Sequence, residues 1–342
     1  MISVVVPCRN EQPYIAATIA SLLAQEAPPE GFEIVVADGQ SDDGTREILH
    51  DLAKRNPAVR LVDNPRRITP AGMNVGIRAA RGRYIAILGA HCHYEPTYLR
   101  TCVQLLDEHP EASCVGGPIL SRGRSLLGQA VAAAMSHPVG IGNARHRQPN
   151  YEGYAEGACY PVFRREVFDR IGFYDEVLVR NQDDELNYRL TKQGGKVFLS
   201  PRARCTYFVR ETLRALSRQY FQYGYWRVAV LKKHRMPASF RQLVPPVFLA
   251  GLVCSLVFAW LGPDPWRWAA LVPPLAYVLV LLAAGASQAK THGWKVGALF
   301  PIAAATMHVA YAAGFGWAAV KHGLASISSV PPANPEQYPQ SR

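Results

Sequence analysis

The chain has 342 residues, 49% of them apolar, enough for a sizeable core and a further element beside it. Its net charge of +11 is unevenly placed: through Glu211 there are 25 basic and 24 acidic residues, and beyond it 12 basic residues against two acids, Asp264 and Glu336. The basic excess flanks apolar stretches instead of coating the folded part, which argues against nucleic acid as a partner and for an anionic membrane surface.

Residues 2–6 are apolar and β-branched and predict a buried strand, with no basic leader ahead of it that would mark a signal peptide. Ile15, Ile19, Leu22 and Leu23 follow at helical spacing. Residues 33–37 predict a second strand, and Thr45 can cap a helix carrying Ile48, Leu49 and Leu52. Residues 59–62 predict a third strand. Thr69 followed by Pro70 opens a helix bearing Met73, Ile77 and Ala80, and residues 84–88 predict a fourth strand. This strand–helix rhythm predicts a parallel, doubly wound α/β sheet. Ligands on such sheets bind outside the carboxyl ends of the strands, so the loops opening at Pro7, Asp38 and Gly89 are the places to look. Residues 117–211 are less regular, with a helix near 184–192.

From Arg214 to Arg241 there are seven basic residues and no acid, mixed with Tyr220, Phe221, Tyr223, Tyr225 and Trp226, a pattern that predicts a helix in the membrane interface. Three apolar runs follow, at 244–262, 268–286 and 297–320, each near the ~20 residues that cross a bilayer core. Buried helices of a second soluble domain are the alternative reading. Lys232, Lys233, Arg235 and Arg241 precede the first run, and Lys290 and Lys295 lie between the second and third. The positive-inside rule then puts residues 1–243 in the cytoplasm. The expected organisation is a catalytic domain over 1–211, a basic interface region over 212–243, three transmembrane helices over 244–323 and a disordered, Pro-rich tail over 324–342. Seven cysteines with no CxxC pair argue against a disulfide framework or a zinc ribbon, and for reduced thiols. No GxxxxGK[ST] or GxGxxG motif is present, which disfavours kinases and dehydrogenases.

Two segments carry more information together than apart: Val4-Val5-Val6-Pro7-Cys8-Arg9-Asn10-Glu11, and Val35-Val36-Ala37-Asp38-Gly39-Gln40-Ser41-Asp42-Asp43-Gly44-Thr45. They resemble family 2 glycosyltransferases of the GT-A fold, and within that family the ExoA-type enzymes of succinoglycan and related exopolysaccharide synthesis. The resemblance covers residues 1–230, and the three-span tail is similar too. It implies a GT-A doubly wound, mostly parallel sheet with a C-terminal interfacial helix and three transmembrane helices, in a multi-pass protein of the cell's inner membrane.

By residue type, Asp38 is either a turn acid beside Gly39 or a strand-end carboxylate that accepts from a base N–H; the resemblance implies the second, with uracil as the base. It also places Pro7 and Arg9 along the base and Glu11 near the ribose. Asp42 and Asp43 fit equally the first-turn acids of the next helix. Most family members hold a divalent cation on an Asp-x-Asp motif after the fourth strand, but here the position reads Gly89-Ala90-His91, and both aspartates are absent. His91 is left as a ligand for Mg²⁺ or Mn²⁺, a diphosphate contact or a polar loop residue; imidazole suits hard Mg²⁺ poorly. His93 reads as structural or solvent-facing.

Asn181-Gln182-Asp183-Asp184-Glu185-Leu186-Asn187-Tyr188-Arg189-Leu190 resembles the family's Glu-Asp-x-x-Leu-x-x-Arg segment, with Gln182 replacing the Glu. The resemblance implies that Asp183 is the general base; the alternative is a helix N-terminus with dipole-compatible acids and a Glu185–Arg189 pair. Gln219-Tyr220-Phe221-Gln222-Tyr223 lacks the Arg and Trp of the processive Gln-x-x-Arg-Trp segment, which weakens a polymerising role. Glu156 is a weak candidate for contact with the acceptor. His308, within the third span, reads as a helix-packing group. The expected activity is inverting transfer from a nucleotide sugar, UDP-glucose by resemblance, to a polyprenyl-linked saccharide at the membrane. A polyprenyl-phosphate glycosyltransferase, or a degenerate subunit without catalysis, is the alternative.

Overall fold

The computed structural model describes residues 1–90, 92–235 and 240–323, which form two compact units. The first comprises residues 1–120 and 145–207. Its chain order runs β1 (Ile2–Cys8), α1 (Gln12–Leu23), β2 (Phe32–Asp38), α2 (Thr45–Arg55), β3 (Val59–Asp63), α3 (Thr69–Ala79), β4 (Tyr84–Ile87), β5 (Cys92–Tyr94), α4 (Tyr98–Glu108), β6 (Ala112–Gly117) and β7 (Ile119–Arg122). After the helices α5 (Leu126–Ser136) and α6 (Pro138–Ile141) it resumes with β8 (Gly153–Ala155), β9 (Cys159–Arg164), α7 (Glu166–Ile171), α8 (Gln182–Lys192), β10 (Lys196–Leu199) and β11 (Cys205–Phe208).

The main sheet has eight strands in the order β3-β2-β1-β4-β9-β6-β10-β8. β3, β2, β1 and β4 are mutually parallel, while β9 runs antiparallel between β4 and β6. Both faces of β1 are covered, which explains its nearly continuous apolar run, interrupted only by buried Ser3. Val4 and Val6 pack with Ile15, Ile19 and Leu22 of α1 and Leu99 of α4. Val5, on the opposite face, packs with Met73 and Ile77 of α3, Phe168 of α7 and Leu186 of α8. Each such side chain, fully buried, contributes about 1.5–3 kcal/mol.

The second unit comprises residues 121–144 and the chain from Phe208 onward. Here lie α9 (Leu213–His234), α10 (Val244–Leu261), α11 (Trp266–Ala269), α12 (Val272–His292) and α13 (Trp294–His322), together with α5 and α6. Three stretches, Val244–Leu261, Trp266–His292 and Trp294–His322, are long and apolar enough to cross a membrane. Two differences from the sequence reading stand out. Residues 121–144, expected within a domain spanning 1–211, group instead with the C-terminal helices, because the Ala-rich α5 packs on α13. The aromatic side of α9, expected at a membrane surface, is turned inward: Tyr220, Tyr225 and Trp226 are buried, and α9 packs along α13. Reciprocal glycines make that contact close, since a Cβ on Gly224 would lie 1.9 Å from the Tyr311 carbonyl oxygen and one on Gly314 would lie 2.0 Å from that of Phe221. His308 fills its expected packing role, bonding Tyr277 Oη of α12 at 2.9 Å and the Gly140 carbonyl of α6 at 3.1 Å. The expected tail over 324–342 lies outside the described residues. All seven cysteines are free thiols.

Candidate active site at the strand ends

Pairing of β1 with β2 sets Cys8 against Asp38, so the loops after both strands open side by side. Gly39 N–H donates to the Cys8 carbonyl at 2.8 Å, and a Cβ on Gly39 would lie 3.1 Å from Arg9 Cβ. Pro7 borders α3, 3.3 Å from where Gly72 would carry a Cβ. Glu11 begins α1, and its N–H donates to Thr45 Oγ1 at 2.9 Å. The sequence-predicted Pro7, Arg9, Glu11 and Asp38 thus share one edge of the sheet. Thr45 is not the cap of α2 but its first residue; Gly44 stands at the cap position, and the Thr45 hydroxyl donates to Asp43 at 2.6 Å.

Asp38 is wholly buried. Its Oδ1 accepts from Ser41 Oγ at 2.6 Å and its Oδ2 from Arg46 Nη1 at 2.9 Å, while Arg46 also reaches Asp63 at 2.6 Å. Asp43 bonds Thr45 and the Gln12 N–H; burial works against its charge, but these hydrogen bonds outweigh it and hold the carboxyl below the usual range. Asp42 is exposed and accepts from Asn10 Nδ2 at 2.8 Å. Burial, followed by the charges of Glu11, Asp38 and Asp43, pushes the Cys8 thiol far up and keeps it neutral.

The loop after β4 carries Gly89, whose N–H donates to Tyr94 Oη at 2.7 Å. A Cβ there would lie 3.2 Å from the Tyr160 ring, so an aromatic edge closes the space beside the position where family members carry an aspartate. Tyr160 adopts φ of +53°, a conformation costly for an aromatic residue, and its hydroxyl accepts from the Cys92 thiol at 2.7 Å. The Ala90 carbonyl accepts from Thr18 Oγ1 at 2.5 Å, which ties the loop to α1. His91 lies outside the described residues, and His93 is exposed on β5. Among the described residues no three His, Cys, Asp or Glu side chains converge as a metal cage. Gly89 and Ala90 offer no side-chain donor, and burial raises the Cys92 thiol to about 11. The described part of the loop therefore does not fit a divalent cation by itself.

Asp183 occupies the first turn of α8. The segment before it is held by buried Asn74, which donates to the Tyr174 carbonyl at 2.8 Å and accepts from the Tyr174 N–H at 2.9 Å. Behind it, buried Glu185 pairs with Arg189 at 2.9 Å, and Arg189 also donates to the Phe173 carbonyl at 2.7 Å. Glu185 and Arg189 therefore brace the helix. Asp183 itself stays open to solvent, yet dense protein surrounds it. That loss of hydration, with the like charge of Asp184 second and Arg180 opposing, lifts its carboxyl to about 7. The charges of Asp183 and Glu11 reach the neighbouring thiols Cys159 and Cys92 respectively, and Tyr160, next in sequence to Cys159, borders Gly89. Asp183, Gly89 and Glu11 thus belong to one region, whereas Glu156 is exposed on the loop after β8. Sequence reasoning missed Arg46, Tyr160 and Asn74; only Asn74, a polar residue on the apolar stripe of α3, left a local signal.

Comparison with known proteins shows the family and the fold. The family model described as "Glycosyl transferase family 2" matches residues 3–172. Succinoglycan biosynthesis protein ExoA of Rhizobium meliloti (strain 1021) is 33% identical over 320 residues, covering 91% of this chain and 93% of that protein. A dolichyl N-acetyl-α-D-glucosaminyl phosphate 3-β-D-2,3-diacetamido-2,3-dideoxy-β-D-glucuronosyltransferase of Methanococcus voltae is 25% identical, covering 68% of this chain and 74% of that one. Among solved structures, mannosyltransferase PcManGT from Pyrobaculum calidifontis in complex with GDP-Man and Mn²⁺ superposes with a TM-score of 0.55 at 22% identity, covering 90% of this chain and 86% of that one, and shares its fold. The chain belongs to glycosyltransferase family 2.

Proposed function

We propose that this glycosyltransferase transfers a sugar with inversion from a nucleotide-activated donor, UDP-glucose, to a polyprenyl-linked saccharide in exopolysaccharide synthesis, with its active site on the cytoplasmic face of the inner membrane. The likeness to a protein named for succinoglycan biosynthesis supports the pathway class. The three apolar stretches and the basic residues around them support the membrane setting. The observation that carries the reading is Asp183: an accessible carboxyl raised to about 7, whose charge reaches Cys159 beside Tyr160, the residue that borders Gly89. A base is most effective when its pKa lies near the working pH.

In the proposed reaction Asp183 takes the proton of the acceptor hydroxyl as that oxygen attacks the anomeric carbon. The bond from that carbon to the diphosphate oxygen breaks on the opposite face, and its electron pair leaves with the nucleoside diphosphate. Asp38, Arg9, Pro7 and Glu11 surround the nucleoside, and Gly89 and Ala90 border the diphosphate. Anchoring the enzyme beside a lipid-borne acceptor raises the local acceptor concentration. The test is a donor screen on purified membranes, with and without EDTA. Transfer from UDP-glucose to a lipid-extractable product is expected; transfer only from another donor, or only to a soluble acceptor, would overturn the corresponding part. The EDTA arm reads the need for Mg²⁺ or Mn²⁺.

A further inference from the structure

Departure of a nucleoside diphosphate demands positive charge, and the described residues 88–90 of the loop after β4 bring neither paired carboxylates for a cation nor a basic side chain. The short helical turn Arg145–Arg147 supplies three basic groups in succession within the first unit. The two arginines diverge. Arg145 donates to the Tyr154 carbonyl at 2.6 Å and sits 5.5 Å from the Tyr151 ring centroid. Arg147, half-buried, lies 5.6 Å from the centroid of Tyr207 on β11. Tyr207 pairs across the small sheet with Cys92, two positions on in sequence from Ala90 of the loop after β4. The charge of Arg147 also acts on Cys159, the thiol that the Asp183 carboxylate reaches. Arg147 is thereby placed beside the strand-end loop, within electrostatic reach of the ground around Asp183.

The geometry points to Arg147 as the residue that contacts the diphosphate of the donor and stabilises the charge that gathers there as the glycosidic bond breaks. The inference rests on the glycosyl-transfer reading and deepens it. As the bond from the anomeric carbon to the diphosphate oxygen opens, its electron pair moves onto that oxygen. A planar guanidinium can donate two N–H bonds to adjacent diphosphate oxygens, and in a site screened from water such donors act chiefly on the transition state. Aromatic support from Tyr207 keeps the guanidinium oriented before the donor arrives.

The experiment compares wild type, Arg147→Ala, Arg147→Lys and Arg145→Ala in membranes, measuring transfer from UDP-glucose and inhibition by UDP and by uridine. Arg147→Ala is expected to lower kcat by about 10²–10³-fold and to erase most of the preference for UDP over uridine. Arg147→Lys, which keeps the charge and the packing stem, is expected to recover part of both, and Arg145→Ala to transfer like wild type. Transfer and UDP preference unchanged in Arg147→Ala would overturn the proposal while leaving the glycosyl-transfer reading intact. Equal losses in Arg145→Ala and Arg147→Ala would also overturn it, because the turn would then act only as a structural unit. No sugar transfer by wild type from any nucleotide donor would overturn the underlying reading and this proposal with it.

Discussion

The end of β2 and the start of α8 each present an aspartate in the first unit, and the two are held differently. Asp38 has no accessible surface and is clamped by Ser41 and Arg46. Asp183 has solvent in front of it, the charge of Arg180 opposes the loss of hydration, and its carboxyl still rises to about 7. A carboxylate clamped by hydrogen bonds suits a scaffold that shapes a loop, whereas an accessible carboxyl raised to about 7 suits proton transfer. Two residues of the same type are thus separated by environment, not by position along the sheet.

The contrast can be broken by substitution. Asp183→Asn keeps shape and polarity but removes the proton acceptor, so kcat is expected to fall about 10²–10⁴-fold with little change in the KM of the donor, read by initial rates at saturating acceptor. Loss of less than tenfold would mean that the acceptor is already an anion, as in transfer to a polyprenyl phosphate. Arg46→Ala attacks the other acid: it leaves Asp38 buried without its cation and is expected to cost about 3 kcal/mol, seen as a lower melting temperature in detergent. If melting is unchanged, the clamp is not structural.

The pH dependence sharpens the same comparison. Because Asp183 must be ionised to act, kcat is expected to rise about tenfold per unit up to pH ~7 and level off above it, a limb that Asp183→Asn should lack. The stability effect has the opposite sign. The folded state holds this proton more tightly than the ordinary carboxyl value of 3.8 implies, so native stability falls as pH climbs from about 4 to 7. Solvent screening of an accessible carboxyl limits that loss to ~1 kcal/mol. Asp183→Asn is therefore expected to melt slightly above wild type at pH 8 and together with it at pH 4, a small gain beside a large catalytic loss.

Much of this was legible in the chain. The first four strands announced themselves because both faces of the sheet are covered, leaving mostly apolar, β-branched runs such as residues 2–6. Glu185 and Arg189 sit at a spacing whose pairing follows from helix geometry alone. What could not be read was set by contacts distant in sequence. The role of Arg46 depends on Asp63, brought near only by β2–β3 pairing. Residues 121–144 look like any Ala-rich helical segment, and nothing local says that they join a unit resumed only after residue 207. In α9 the row of aromatics suggested a lipid surface, and Gly224 was the one hint that another backbone comes close.

That close seam has a consequence for the proposed membrane setting. α13 has 29 residues, at ~1.5 Å each about 43 Å long, well beyond the ~30 Å of a hydrocarbon core. In the proposed membrane setting a helix of that length leans or protrudes. Since Gly224 and Gly314 bring the two backbones into contact, the proposed setting predicts that α9 follows α13 when lipid thickness changes.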